Sequence, residues 1–234
     1  MTSADPGVKA GAPSPGRGRG APFALPGRFH AAVFDMDGLL VDSEPQWARA
    51  ETELLARHGD RFTPADAEAT HGRSIEDTVD VYAPRLGVDR AALRAELMAL
   101  MRVQFEEGAP VRPGARELVR WLEGKMPLAV ASNTDGDLVR LALQGVGLLD
   151  AFAAIVSGAD IGRAKPHPDV YLVACRALGV EPHDAVAFED SPAGVLAAKA
   201  AGMACVGVPE RDGVDLAAAG ADVVVGSLAE LIDL

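Results

Sequence analysis

Two aspartates, Asp35 and Asp37, stand in a short loop directly after an apolar run. That run, Ala31 to Phe34, is continuous and bounded by a turn signal, which is typical of a buried strand. Asp35 would therefore lie at the carboxyl end of the strand and Asp37 one step into the loop, at the edge where open α/β sheets bind ligands. Because adjacent carboxylates repel each other and are costly to bury unpaired, we expect a cation here.

Three later apolar runs also end in residues that could do chemistry. Ser132 and Asn133 follow the first, a loop with Lys165 follows the second, and Glu189 and Asp190 follow the third. Taken singly, Ser132 could cap a helix, Lys165 could lie on the surface, and the carboxylate pair could cap the next helix. Their joint occurrence, each where a parallel strand would deliver side chains to one sheet edge, indicates an active site.

The carboxylates of this set predict a metal site. Mg²⁺ prefers hard oxygen ligands and accompanies substrate phosphates. When Mg²⁺ and Lys165 neutralise its negative charge, a carboxylate can approach a phosphoryl group that it would otherwise repel. We expect Asp35, Asp190 and the backbone carbonyl of Asp37 to hold the metal, with Glu189 bound either directly or through water.

The order of the two aspartates suggests separate roles. Asp35, first after the strand, is the expected nucleophile and would form an aspartyl-phosphate. Asp37 would protonate the leaving oxygen and later deprotonate water. We expect Ser132, Asn133 and Lys165, with loop amides, to hold the phosphoryl oxygens as charge moves in the transition state, which makes Lys165 catalytic as well.

Alternating strand and helix patterns define the elements that must position these residues. Residues 29–43 and 110–234 predict an α/β fold, a Rossmann-like parallel sheet flanked by helices. Between them, residues 44–109 have helical patterns and no strand signal, and we expect an inserted four-helix cap domain above the active-site edge, as a lid would lie. Residues 1–28 are rich in glycine and proline and are predicted to be a disordered tail.

Composition excludes several classes of function. The net charge of −12, from 22 basic and 34 acidic residues, disfavours binding to nucleic acid or an anionic membrane. The two cysteines, Cys175 and Cys205, lie in apolar stretches and are expected to be reduced core thiols. No apolar run approaches the roughly 18 residues of a membrane span, and no signal peptide is recognisable. We therefore expect a cytoplasmic protein. Nothing in the sequence marks an interface, so a monomer that acts on a small-molecule phosphate ester is the expectation.

The four motifs, in this order, resemble those of the haloacid dehalogenase superfamily over about residues 30–226. One branch of this superfamily has a C1-type cap and contains hexose-phosphate phosphatases and β-phosphoglucomutases. Its motifs are similar to KPHPDVY and FEDSPAGVLAAKAAGM, and its helical insertion follows the first motif, which is DMDG here. Dehalogenases of this fold lack the second aspartate, so Asp37 favours phosphoryl transfer. Phosphonate hydrolases use a cap lysine, and residues 44–109 contain none.

Two sequence features favour a phosphatase over a mutase within that branch. Trp47 stands where mutases usually carry a histidine, and in the cap loop Arg73 precedes Ser74 rather than following it. The resemblance thus implies a phosphatase acting on a small phosphorylated metabolite, a sugar phosphate. A sugar-phosphate mutase is the alternative, and a non-catalytic binding protein on the same fold is a third interpretation.

The cap loop is the expected source of specificity. We hypothesise that His71, Arg73 and Ser74 contact the non-reacting part of the substrate, with Arg73 holding a second anionic group. The alternative interpretation of His71 and Ser74 is a helix-cap region with an exposed histidine.

Overall fold

The computed structural model of the chain describes residues 27–232, so the predicted tail lies outside the described residues apart from Gly27 and Arg28. Its sheet has six parallel strands in the order β3-β2-β1-β4-β5-β6. The strands are β1 (Ala31–Phe34), β2 (Leu128–Ser132), β3 (Ala154–Ser157), β4 (Ala185–Glu189), β5 (Ala204–Gly207) and β6 (Val223–Val224). The predicted Rossmann-like parallel sheet is confirmed.

The central position of β1 explains why its loop faces the other motifs. Phe34 is in register with Val130 of β2 on one side and with Phe188 of β4 on the other. Side chains of a strand alternate between the two sheet faces. Ala32 and Phe34 accordingly belong to one apolar cluster, and Ala31 and Val33 to a second cluster on the opposite face.

Helices cover both faces of this sheet. They are α5 (Ala115–Leu122), α6 (Gly136–Gly145), α7 (Gly158–Ile161), α8 (Asp169–Leu178) and α9 (Pro192–Ala200). The sequence predicts a closing helix at residues 227–232, and the structure has a short 3₁₀ helix there, Leu228–Leu231. Its buried residues Leu228 and Leu231 are three apart, the repeat of a 3₁₀ turn.

Residues 44–109 form helices without any strand. The helices are α1 (Glu44–Arg57), α2 (Pro64–Thr70), α3 (Ile75–Leu86) and α4 (Arg90–Glu107), and together we call them the helical segment. Capping boxes begin α2 at Thr63 and α3 at Ser74, and the Asp89 side chain caps α4. The sequence predicts that Ser43 caps a helix starting near Pro45. Ser43 does precede α1, but its hydroxyl makes no cap hydrogen bond.

The chain leaves the sheet and returns to it at neighbouring points. Val41 and Val111 form an isolated antiparallel bridge, Asp42 N donates to Pro110 O at 2.8 Å, and Arg112 N donates to Leu40 O at 3.0 Å. The helical segment is therefore an excursion that begins and ends beside the loop after β1. Within residues 27–232, no helix combines the length and apolar character that crossing a membrane requires.

Candidate active site

A cavity of about 530 Å³ lies between the carboxyl edge of the sheet and the helical segment. Its sheet-side wall includes six of the predicted site residues, namely Asp35, Asp37, Ser132, Asn133, Lys165 and Asp190. Its other wall comes from α1, α2 and the loop after α2, and includes Trp47, Glu51, His71 and Arg73. The predicted convergence at one sheet edge is therefore present. Glu189, at the end of β4, and the predicted cap-loop residue Ser74 do not line the cavity.

Lys165 joins two carboxylates in the floor of the cavity. Its Nζ donates to Asp35 Oδ1 at 2.5 Å and to Glu189 Oε1 at 2.6 Å, and all three residues are buried. Burial raises the pKa of Asp35 well above its usual range, Lys165 opposes this, and the charges of Glu189 and Asp37 add to it. Burial disfavours the charged form of Lys165, but the two carboxylates outweigh it and raise the lysine pKa.

Glu189 has all its contacts on the protein side of the site. It is fully buried, and besides Lys165 its Oε1 accepts from the Tyr171 hydroxyl. Its Oε2 accepts from Asp190 N and Ser191 Oγ, each at 3.2 Å. This arrangement positions Lys165 and favours that role over the predicted one of metal ligand. Tyr171 lies in the KPHPDVY motif, but sequence reasoning gave it no role.

Asn133 binds the backbone of the same lysine. Its Oδ1 accepts from Lys165 N at 2.7 Å, which ties the loop after β2 to the loop after β3. The predicted phosphate-binding residue thus also fixes the backbone that carries Lys165.

The Asp37 carboxylate accepts from four donors. Oδ1 accepts from Ser43 Oγ at 2.6 Å and from Trp47 Nε1 at 3.4 Å, and Oδ2 accepts from Thr134 Oγ1 at 2.9 Å and Ser132 Oγ at 3.1 Å. The Ser132 hydroxyl, predicted to bind phosphate, therefore donates to Asp37 here. Sequence reasoning missed Thr134 and assigned Ser43 to the helix, although a hydroxyl two residues after Ser132 was a usable signal.

The donor set at Asp190 fits a hard divalent cation. Asp190 is 8% exposed and lines the cavity, and burial, with the charges of Asp35, Glu189 and Glu210, raises its pKa. Lys165 is paired with Asp35 and Glu189, and within the described chain no cationic group lies within salt-bridge distance of Asp190. The excess of carboxylate oxygen is the chemistry that Mg²⁺ prefers.

Gly38 permits this close approach of Asp190. Its φ is +78°, and a Cβ at this position would lie 2.2 Å from Asp190 Oδ2. Only glycine satisfies both the backbone angle and the space.

The three predicted cap-loop residues have different surroundings. His71 lines the cavity and joins Glu210 Oε2 through Nε2 at 3.1 Å and Glu44 Oε1 through Nδ1 at 3.4 Å. Arg73 also lines the cavity and is exposed. Ser74 is buried at the start of α3, where it accepts from Asp77 N at 3.2 Å and donates to Asp77 Oδ2 at 2.7 Å. Its geometry is that of the helix cap.

Comparisons with known proteins agree with this arrangement. A model of the haloacid dehalogenase-like hydrolase family matches residues 29–202. Hexitol phosphatase B of Escherichia coli is 37% identical over 215 residues, covering 89% of this chain and 97% of that protein. Validoxylamine A 7'-phosphate phosphatase of Streptomyces hygroscopicus subsp. limoneus is 35% identical over 205 residues, covering 87% and 96%.

A solved structure shows the same likeness in three dimensions. CbbY from Rhodobacter sphaeroides, in complex with phosphate, superposes with a TM-score of 0.78 and 29% identity, covering 88% of this chain and 100% of that one. Fold and comparisons together define a hydrolase with an α/β core. The chain belongs to the haloacid dehalogenase-like hydrolase family, so the resemblance seen in its motifs is confirmed.

Proposed function

We propose that this hydrolase is a Mg²⁺-dependent phosphatase that acts on a small sugar phosphate through an aspartyl-phosphate on Asp35. The observation that carries the proposal is the contact of Asp35 with Lys165 at the cavity floor, beside an Asp37 held by four donors. The names of the two relatives, both phosphatases, support the same class of reaction.

In the first step Asp35 attacks phosphorus. Oδ1 is engaged by Lys165, so Oδ2, which has no partner among the described residues, is the attacking oxygen. The Oδ2–P bond forms as the bond from phosphorus to the ester oxygen breaks. Lys165 offsets the negative charge that the phosphate brings to the carboxylate, an electrostatic contribution that grows in a water-poor site.

Asp37 supplies the proton for the leaving alcohol and recovers one from the water that hydrolyses the aspartyl-phosphate. Both protonation states are accommodated, because hydroxyl groups such as those of Ser43 and Thr134 donate to the carboxylate and can rotate to accept from the acid. The second step returns Asp35 and Asp37 to their starting states and releases phosphate.

The metal would be held by the carboxylates of Asp35 and Asp190 and the backbone carbonyl of Asp37. When bound, Mg²⁺ would neutralise charge on the phosphoryl oxygens and on the carboxylates. Glu189 is assigned to Lys165 rather than to the metal, because both of its oxygens already accept from protein donors.

We assign the helical segment, residues 44–109, to a cap over a core of residues 29–43 and 110–234. Its α1 and α2 close the cavity from above, and its two connections lie next to the DMDG loop. His71 and Arg73 are then the cap-loop side chains that face the substrate, with Arg73 placed for a second anionic group. Ser74 contributes by capping α3.

Phosphate release from a panel of phosphate esters with Mg²⁺ tests the proposal. We expect release from several sugar phosphates, its loss on chelation of the metal, and its loss in Asp35→Asn. Conversion of β-glucose 1-phosphate to the 6-phosphate with little free phosphate would identify a mutase instead. No turnover of any ester would favour a non-catalytic binding protein.

A further inference from the structure

Glu51 is a buried carboxylate in the cavity wall that the proposed reaction does not use. It lies on α1, is 3% exposed, and lines the same cavity as Asp35 and Lys165. Burying a carboxylate without a cation is costly, and none lies within salt-bridge distance of Glu51 in the described chain. A residue of this kind in a substrate cavity requires an explanation.

One oxygen of Glu51 is fixed by the protein and the other is not. Oε2 accepts from the Tyr82 hydroxyl at 2.5 Å and from Thr70 Oγ1 at 2.9 Å. Oε1 has no hydrogen-bond partner in residues 27–232, yet it is not sealed off. Among those residues, the one fully buried side-chain polar atom without a partner is Gln46 Oε1. Glu51 Oε1 is therefore not fully buried, and Glu51 is one of the residues that line the cavity.

The two fixed hydrogen bonds make Oε1 a pre-positioned acceptor. Tyr82 and Thr70 hold the carboxylate plane, so a ligand does not have to order it on binding. Burial raises the pKa of Glu51, and the hydrogen bonds from Tyr82 and Thr70 oppose that shift. Since both hydroxyls donate, Glu51 acts toward the cavity as an acceptor of hydrogen bonds.

The surroundings indicate what the free oxygen would accept from. Trp47 and Phe62 line the same cavity and offer apolar surface to a carbon skeleton. A second anionic group beside Glu51 would be repelled, whereas a neutral hydroxyl can donate to it. An acceptor next to aromatic surface suits the hydroxylated chain or ring of a sugar or polyol.

We propose that Glu51 is a specificity-determining residue that accepts a hydrogen bond from a hydroxyl group on the carbon skeleton of the substrate. This inference rests on the proposed phosphatase function, because the phosphoryl group must occupy the Asp35 end of the cavity. It deepens that function by specifying a hydroxylated substrate and the residue that recognises it.

The test compares Glu51→Gln with the wild type on two phosphate esters. In the variant, the amide oxygen replaces Oε2 as acceptor for Tyr82 and Thr70, so the amide NH₂ faces the cavity as a donor. We expect kcat/KM for sorbitol 6-phosphate to fall at least about tenfold relative to kcat/KM for p-nitrophenyl phosphate. A loss of this size corresponds to the loss of one hydrogen bond to a charged group. The loss should appear mainly in KM for sorbitol 6-phosphate.

Two further variants complete the experiment. Glu53→Gln carries the same change two residues along α1, on an exposed side chain paired with Arg57, and should leave the ratio of the two kcat/KM values unchanged. Glu51→Asp retains the charge but withdraws the oxygen from the cavity, and should lower the same ratio if Glu51→Gln does not fold. Thermal melting verifies the fold of each variant.

The outcomes separate this inference from the proposed function. If the folded Glu51 variants leave the ratio of kcat/KM values at the wild-type level, or reduce both esters equally, the inference is overturned while the phosphatase stands. If the wild type releases phosphate from neither ester, the proposed function fails and this inference fails with it.

Discussion

At the scale of single residues, the direction of a hydroxyl group decides its role. Ser43 and Ser74 both precede a helix, yet Ser74 caps α3 and Ser43 donates to Asp37. A capping serine needs an extended backbone so that its side chain can fold back. Ser74 has ψ of 162°, whereas Ser43 has ψ of −6°, and its hydroxyl is directed into the site instead.

The two serines should therefore respond differently to alanine. Ser74→Ala should lower the free energy of unfolding by about 1 kcal/mol, the usual value of an N-cap, with kcat nearly unchanged. Ser43→Ala should change stability less but lower kcat about tenfold or more, because Asp37 loses a donor that orients it. Urea unfolding and phosphate release on both variants measure this. If Ser43→Ala instead loses more stability and Ser74→Ala loses more kcat, Ser43 is the helix cap and Ser74 is the substrate contact.

At the scale of elements, the start of α9 presses against the carboxylate that holds Lys165. A Cβ at Gly194 would lie 1.9 Å from Glu189 Cδ, and Gly194 N donates to Ser191 Oγ at 3.1 Å. Glycine is therefore required at position 194 because of the contact with Glu189, and not because of the helix itself. The helix must bring its first turn against the end of β4 without displacing Glu189.

Gly194→Ala should therefore reduce activity by moving Glu189 and with it Lys165. We expect kcat to fall about tenfold or more, since small displacements in a site are costly, and stability to fall by about 1–3 kcal/mol from overpacking. Gly145→Ala in α6 is the matched control, because the nearest atom to its Cβ, Phe105 O, is 3.9 Å away. Steady-state kinetics on both variants measure this effect. Equal kcat values for Gly194→Ala and Gly145→Ala would show that Gly194 does not affect Lys165 through Glu189.

Element prediction from sequence succeeded where patterns were long. The helical spacing of Leu93, Leu97, Leu100 and Met101 predicts a helix capped by Asp89, and the structure has this helix as Arg90–Glu107 with the Asp89 cap. The helix Gly158–Ile161 was not predicted, because its four residues are too few to show a period. The helix at residues 227–232 was predicted without its type, since the spacing of Leu228 and Leu231 fits an α-helix and a 3₁₀ helix alike.

At the scale of the whole molecule, His71 links the helical segment to the loop after β5. The hydrogen bond with Glu210 raises the pKa of His71, partial burial opposes it, and Glu44 adds to it. The same hydrogen bond lowers the pKa of Glu210. The pair is therefore fully charged above the unfolded glutamate pKa of about 4.3 and below the unfolded histidine pKa of about 6.5.

Stability should follow this link as pH changes. Because the folded pKa of His71 is raised, its contribution is present in weak acid and is lost as pH rises through that pKa. The difference in Tm between the wild type and His71→Asn should thus be larger near about pH 5.5 than near about pH 9. His183→Asn, at an exposed histidine, is the control. A difference that stays constant with pH would exclude the charged pair.

The features of the site that the sequence does not predict depend on tertiary contacts. Strand ends predicted that Asp35, Lys165, Asp190 and Ser132 meet at one edge, and the structure brings them together. Which way Glu189 faces depends on Tyr171 and on the first turn of α9, contacts that residue spacing does not encode. Likewise Glu51 is one of many acidic residues in the sequence, and its burial becomes visible only once α1, α2 and α3 pack together.

In the proposed reaction Asp35 carries the phosphoryl group during turnover. The most direct measurement is an acid quench during hydrolysis of p-nitrophenyl phosphate, followed by borohydride reduction, which converts an acyl phosphate to an alcohol, and peptide mass mapping. We predict that Asp35 is reduced to its alcohol in the wild type and that Asp37 is not. Rapid hydrolysis with no reduced aspartate, or with the reduced residue at Asp37, would contradict the assignment.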